Sequence, residues 1–259
     1  MERDAEIARG HDRARRGDGG PGRPQLVASW LGCVEYGEAL ALQREAARAR
    51  AAVDAPDRLF LLEHPDVVTI GRAGSERHVL IDAESARRLG VSVLETDRGG
   101  DVTYHGPGQL VGYPIIFLPE GRRDLHRYLR DLEEALIDTL AAYGVRGGRV
   151  PGRTGVWVDG AKIAAIGVRV TRWVTSHGFA LNVTTDLDRF RWIVPCGIDG
   201  CRVTSLEALT GRRAALPEVA AIVARALAAR FGLALDGVGA LGAGDGHAAF
   251  ETESPCLTS

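Results

Sequence analysis

The chain has 259 residues, 45% of them hydrophobic and 25% charged, with a formal net charge of -2. That length can bury a sizeable core, and the composition excludes a disordered, collagenous or membrane-spanning chain. The near-neutral charge argues against bulk nucleic-acid binding. The N-terminus lacks the apolar run of a secretory leader, so a soluble, cytoplasmic protein with no membrane contact is expected.

The elements follow in chain order. Residues 1–24 are rich in Arg, Asp, Gly and Pro without periodicity and read as a flexible tail. A strand is expected over 25–34, and an Ala-rich helix from residue 36 to about 53, before the breaker Asp54-Ala55-Pro56-Asp57. Short strands over 58–63 and 67–71, a helix over 83–89 ending at Gly90, and a strand over 91–95 come next. The glycine-punctuated run RGGDVTYHGPGQ (98–109) then feeds an apolar strand over 110–118. From 124 to 143, Leu125, Tyr128, Leu129, Leu132, Leu136 and Leu140 recur at helical spacing, with charges on the other face. Asp159-Gly160 between residues 155–158 and 161–171 predicts a hairpin with a type I′ turn. A strand over 176–183 follows, and a last helix runs from Pro217 to just before Gly232. Residues 236–259, rich in Gly, Ala and Ser, read as a second tail. Interleaved helices and strands with an obligatory antiparallel hairpin predict a single α+β domain over 25–235, with a mixed, largely antiparallel sheet flanked by helices.

Four cysteines, Cys33, Cys196, Cys201 and Cys256, form neither a disulfide framework nor a paired zinc pattern, so free thiols and no bound metal are expected. Cys196 lies in Pro195-Cys-Gly197, which suits either a reactive thiol on a tight loop or a buried structural cysteine. Of the 32 basic residues only Lys162 is lysine. An ammonium can release its proton near physiological pH and a guanidinium cannot, so this lysine is either a chemical group or a chance survivor at the surface. Period two puts it with Ala164, Ile166, Val168 and Val170, where a cation is disfavoured unless it lines a cleft or a bulge turns it outward. The run 98–109 has neither P-loop nor dinucleotide-binding spacing, yet its glycines allow close backbone approach on both sides of Tyr104 and His105. His64, His105 and His177, each taken singly, read as hydrogen-bonded structural imidazoles before proton carriers.

Four segments taken together carry a resemblance: RGGDVTYHGPGQ (98–109), GAKIAAIG (160–167), HGFALN (177–182) and PCG (195–197). In order and spacing they resemble the octanoyltransferase family, whose catalytic domain is shared with biotin and lipoate protein ligases, over residues 59–235. The resemblance implies a thiol–lysine dyad, Cys196 and Lys162, that moves an octanoyl group from octanoyl-acyl carrier protein to a lysine of lipoyl domains, those of 2-oxoacid dehydrogenase E2 subunits and of the glycine cleavage H protein. No cofactor is implied. It also places Arg98, Gly99, Gly100, Asp101, Val102, Thr103, Tyr104 and His105 at the acyl site, with Ala165, Ile166 and Gly167 and with Gly178, Phe179 and Ala180. Two alternatives stand beside it: an ATP-dependent lipoate or biotin protein ligase, which does not need a cysteine at position 196, and a catalytically silent acyl-binding module. An acidic carrier protein would need a local arginine face, for which Arg122, Arg123, Arg127 and Arg130 are candidates against their reading as a solvated helix face.

Overall fold

The computed structural model describes residues 24–52, 55–198, 200–240 and 256. Its frame is an eight-stranded mixed sheet in the order β11-β1-β2-β6-β10-β9-β8-β7. These strands are β1 (Gln25–Cys33), β2 (Asp57–Glu63), β6 (Gln109–Ile115), β7 (Gly148–Val150), β8 (Arg153–Val158), β9 (Ala161–Thr171), β10 (Val174–Asn182) and β11 (Ala234–Ala240). β1 runs parallel to both β2 and β11, and the remaining pairs are antiparallel. The parallel β1–β2 pair needs a crossover, which α1 (Tyr36–Ala51) provides. The expected C-terminal tail therefore begins later than residue 236: residues up to Ala240 pair with β1. The N-terminal tail, and the part of the C-terminal one beyond residue 240 except Cys256, lie outside the described residues.

Three short strands stand outside this sheet. β3 (Val67–Ile70), parallel to β4 (Ser92–Glu95) and antiparallel to β5 (Val102–His105), forms a separate three-stranded sheet. The short α2 (Ala83–Arg88) precedes β4, and Ala86 packs with Val68, Val102, Tyr104, Phe190 and Ile193 in the core of this unit. Against the large sheet, α3 (Leu125–Ala141) and α5 (Leu216–Phe231) cover one core, built from Leu132, Leu136, Leu140, Val223 and Leu227 on the helices and Leu59, Leu61, Ile163 and Leu181 on the strands. A smaller cluster around Ala39, Phe60, Val111 and Tyr113 lies under α1. The short α4 (Leu206–Thr210) completes the helices.

The β8–β9 hairpin has Asp159 and Gly160 at φ 47° and 75°, the type I′ turn that the Asp-Gly pair encodes. Glu133, expected on the solvated face of its helix, is fully buried instead. Its carboxylate accepts from the Gly155 amide at 3.0 Å and pairs with Arg130 and Arg149. Cys33 and Cys256 are joined by a disulfide, which corrects the expectation of four free thiols; Cys196 and Cys201 are free.

Candidate active site

Lys162 sits where β9 changes partner. β10 pairs with β9 only as far as Ala164, and beyond it the segment around Val203 takes over, with Lys162 N donating to Arg202 O at 2.8 Å and Thr204 N donating to Lys162 O at 3.0 Å. On the other side β9 bulges, with Ile163 the extra residue between the Ala164–Val156 and Lys162–Trp157 pairs. Gly155, at φ 119°, lets β8 approach closely there, because a Cβ would overlap Ala164 O. The lysine is thus held at both edges and turned inward, 5% exposed, with Nζ 4.7 Å from the centre of the Trp157 ring.

The segment that leaves β10 and returns to Lys162 carries Cys196. Pro195–Gly197 form a single 3-10 turn in which Cys196 has φ 58° and ψ 22°. A side chain in this left-handed region costs about 1 kcal/mol or more, and such strain gathers at functional sites. Val194 N donates to His78 O at 2.8 Å and ties the turn to the small-sheet unit. Gly197 leaves no gap for a side chain, since a Cβ would overlap Asp101 and touch His78. This geometry brings Lys162 Nζ to 2.8 Å from Cys196 Sγ. An ammonium at that distance stabilises charge on the sulfur and can pass a proton to it. Burial pushes the Cys201 thiol up, and its sulfur approaches the Arg202 carbonyl instead.

Cys196 opens into a cavity between the two sheets. Arg98, Gly100, Asp101, Val102, Thr103 and His105 line one side of it, and Ala165, Ile166, Gly167, Gly178, Phe179 and Ala180 the other. Two expected site residues lie elsewhere. Gly99 is bound into the wall, its amide donating to Val168 O at 2.9 Å. Tyr104 points into the small-sheet core, where its hydroxyl donates to Asp66 at 2.6 Å and burial drives its ionisation far up. In β5 alternate side chains face opposite ways, Thr103 and His105 toward the cavity layer and Tyr104 away, while Val102, on the Tyr104 side at the start of the strand, borders both the small-sheet core and the cavity. Tyr36, Val111, Tyr113 and His177 also line the cavity and were not expected there. Val111 and Tyr113 were within reach of period-two reasoning from the 98–109 motif, whereas Tyr36, at the start of α1, carries no local signal.

The polar motif residues hold the frame. Arg98, buried, donates to the Thr69 carbonyl at 2.7 Å and to its own neighbour Gly99 O at 3.1 Å, which fixes the glycine run between β3 and β9. His105 Nδ1 lies 2.8 Å from Gln109 Oε1; Gln109 Nε2 donates to Asn182 at 2.9 Å, and Asn182 Nδ2 to Thr204 O at 3.0 Å. That chain ends on the segment bonded to Lys162. Burial, with His64 and Arg98 adding repulsion, lowers the His105 imidazole to about 3, and burial lowers His64 to about 4. Both are neutral and structural at physiological pH.

The pattern of the lipoyl protein ligase A/B catalytic domain matches residues 35–228, most of the chain. This chain belongs to that family. Its similarity to the family's octanoyltransferases is high: the one from Geobacter metallireducens is 54% identical over 206 residues, which cover 80% of this chain and 92% of the relative. The octanoyltransferase of Rubrobacter xylanophilus is 56% identical over 190 residues, 73% of this chain and 85% of its own. Among solved structures, a lipoate-protein ligase A bound with ATP shares the fold at a TM-score of 0.66 and 16% identity, covering 84% of this chain and 89% of that one. A bipartite lipoate protein ligase from Thermoplasma acidophilum does so at 0.65 and 17%, covering 84% and 87%. The fold class read from the sequence, a mixed sheet with flanking helices, agrees with these neighbours.

Proposed function

We propose that this protein is an octanoyltransferase that carries the acyl group on Cys196. The observation that supports this most directly is the Lys162–Cys196 contact of 2.8 Å at the mouth of the cavity lined by Ala165, Ile166 and Ala180. The Cys196 thiolate attacks the thioester carbonyl of octanoyl-acyl carrier protein; the Sγ–C bond forms, the donor C–S bond breaks, and the departing thiolate takes the Lys162 proton. In the second half-reaction the lysine amine of a lipoyl domain attacks, the C–N bond forms, the now neutral Lys162 takes the proton released by that nitrogen, and the Sγ–C bond breaks so that Cys196 leaves as a thiolate beside the restored ammonium. Thioester for thioester is nearly isoenergetic and amide formation is downhill, so the transfer needs no nucleotide. Burial in the cavity at about 0.8 kcal/mol per methylene supplies affinity for the chain.

The acceptors are the lipoyl domains of 2-oxoacid dehydrogenase E2 subunits and the glycine cleavage H protein, and the reaction is placed in the cytoplasm. No helix among the described residues is long and apolar enough to cross a membrane. Of the arginines considered for docking, Arg122 donates to Phe231 O at 2.6 Å and Arg130 to Glu133 at 2.5 Å, while Arg123 stacks over Trp173 at 5.2 Å. Arg123 and Arg127 are therefore the members of this set to test against the carrier protein.

The test is intact mass after mixing with octanoyl-acyl carrier protein in the absence of ATP. An octanoyl adduct should form on the wild type and on Cys201→Ser, be missing from Cys196→Ser, and be discharged when a lipoyl domain is added. Transfer that starts only with free octanoate and ATP would replace this reading with a ligase.

A further inference from the structure

A second, more open cavity adjoins the acyl site. It is a groove of about 560 Å³ between α1 and the outer part of the β9–β10 hairpin, with Leu40, Ala47 and Val174 among its apolar walls and Arg44, Arg169 and Arg172 at its rim. Of the residues that line the groove and those that line the acyl cavity, His177 alone belongs to both. Its position along the strands is as telling. It pairs with Val168, three residues and about 10 Å along β9 from Ala165, where the cavity lining on that strand begins. A chain laid from Cys196 past Ala165, Ile166 and Gly167 therefore runs toward this imidazole.

The residue is held in place from three sides. Its backbone takes φ 56° inside β10, a conformation that costs a β-carbon residue about 1 kcal/mol or more. Its amide donates to Gln43 Oε1 of α1 at 2.8 Å. The ring Nε2 lies 2.7 Å from Asp97 Oδ1, and the other Asp97 oxygen is paired with Arg169. Burial, reinforced by Arg98, Arg169 and Arg44, lowers the imidazole to about 4, so the face it shows the cavity is uncharged. A flat, neutral ring clamped across the end of a cavity is suited to meet a methyl terminus.

We propose that His177 is the end wall of the acyl cavity and sets the maximum chain length, and that the groove behind it accepts the excess carbons of a longer chain once the wall is removed. The proposal rests on the octanoyl-transfer reading. It goes beyond that reading in naming the residue that makes the transfer selective for length.

The experiment compares kcat/KM for octanoyl-, decanoyl- and dodecanoyl-carrier protein. His177→Gly is the first variant, because glycine adopts φ 56° without strain and removes the ring; His177→Asn, which tolerates the same backbone and keeps a short side chain, is the second. The dodecanoyl-to-octanoyl ratio should rise about tenfold or more in His177→Gly, within what four extra buried methylenes can supply, and by less in His177→Asn. Ala47 lies one helical turn beyond Gln43 and lines only the groove. Adding Ala47→Trp to His177→Gly should therefore return the ratio toward the wild-type value. An unmoved ratio in both single variants, or a gain that Ala47→Trp leaves intact, overturns the end wall while leaving octanoyl transfer standing. Absence of any acyl-enzyme in the wild type overturns the transfer reading itself.

Discussion

Cys196 and Lys162 reach each other through two local irregularities, a left-handed cysteine in a one-turn helix and a bulge next to the lysine in its own strand. Both chemical groups were legible in the sequence: the lysine because every other basic residue is arginine, the cysteine because proline and glycine flank it. Their pairing came from the family resemblance alone, since 34 positions separate them and no periodicity spans a loop. The same gap hid Tyr36, which comes to the cavity from an element outside the motifs. Lys162→Arg tests the pair most sharply. Arginine preserves the positive charge and the stacking on Trp157 but cannot cycle a proton, so turnover should fall by about 10²-fold or more, read by single-turnover transfer to a lipoyl domain. Wild-type turnover in this variant would reduce the lysine to a counter-charge.

Among the elements, α3 and the β8–β9 hairpin show where pattern reading succeeds and where it stops. The Asp-Gly turn, the apolar stripe of α3 and the alternation in β9 are local and were readable. Glu133 was misplaced because helical periodicity sees charges on its own helix, not the amide of Gly155 that another element presents to it. That carboxylate anchors β8, the strand paired with β9 on both sides of the bulge beside Lys162. Glu133→Ala leaves the buried Gly155 N–H without its acceptor, a loss of about 1–3 kcal/mol, while Arg130 is open to solvent and Arg149 keeps Glu134. Thermal unfolding should move down accordingly, and activity should fall further than in a control such as His126→Ala at an exposed position of the same helix. The separation of β3, β4 and β5 into their own sheet was likewise unreadable: four-residue strands carry too little pattern to name their partners.

At the scale of the whole molecule, long-range pairings decide what local signals cannot. Cys33 and Cys256 lie 223 positions apart, and spacing alone does not report that their Cα atoms are 6.2 Å apart. Thiol titration of the denatured, non-reduced protein should find two reactive thiols, and four only after reduction. Three histidines, His64, His105 and His177, occupy the same interior with their pKa values lowered by burial to about 4, 3 and 4. The unfolded chain takes up protons near pH 6.5 that the folded one refuses, so stability is full above that pH and declines as the pH falls toward 4. Urea midpoints measured from pH 7 to pH 4.5 should drop steadily through this window; a flat profile would show that the three sites do not resist protonation. The strand that closes the sheet has a consequence of another kind. β11 lies beside β1, with Ala234 against Gln25, so the earliest and latest parts of the described frame meet only after about 200 intervening residues have been made. During synthesis the ribosome exposes β1 with one edge unpaired until β11 emerges, which gives this chain a long interval in which that edge can recruit a chaperone or another nascent strand.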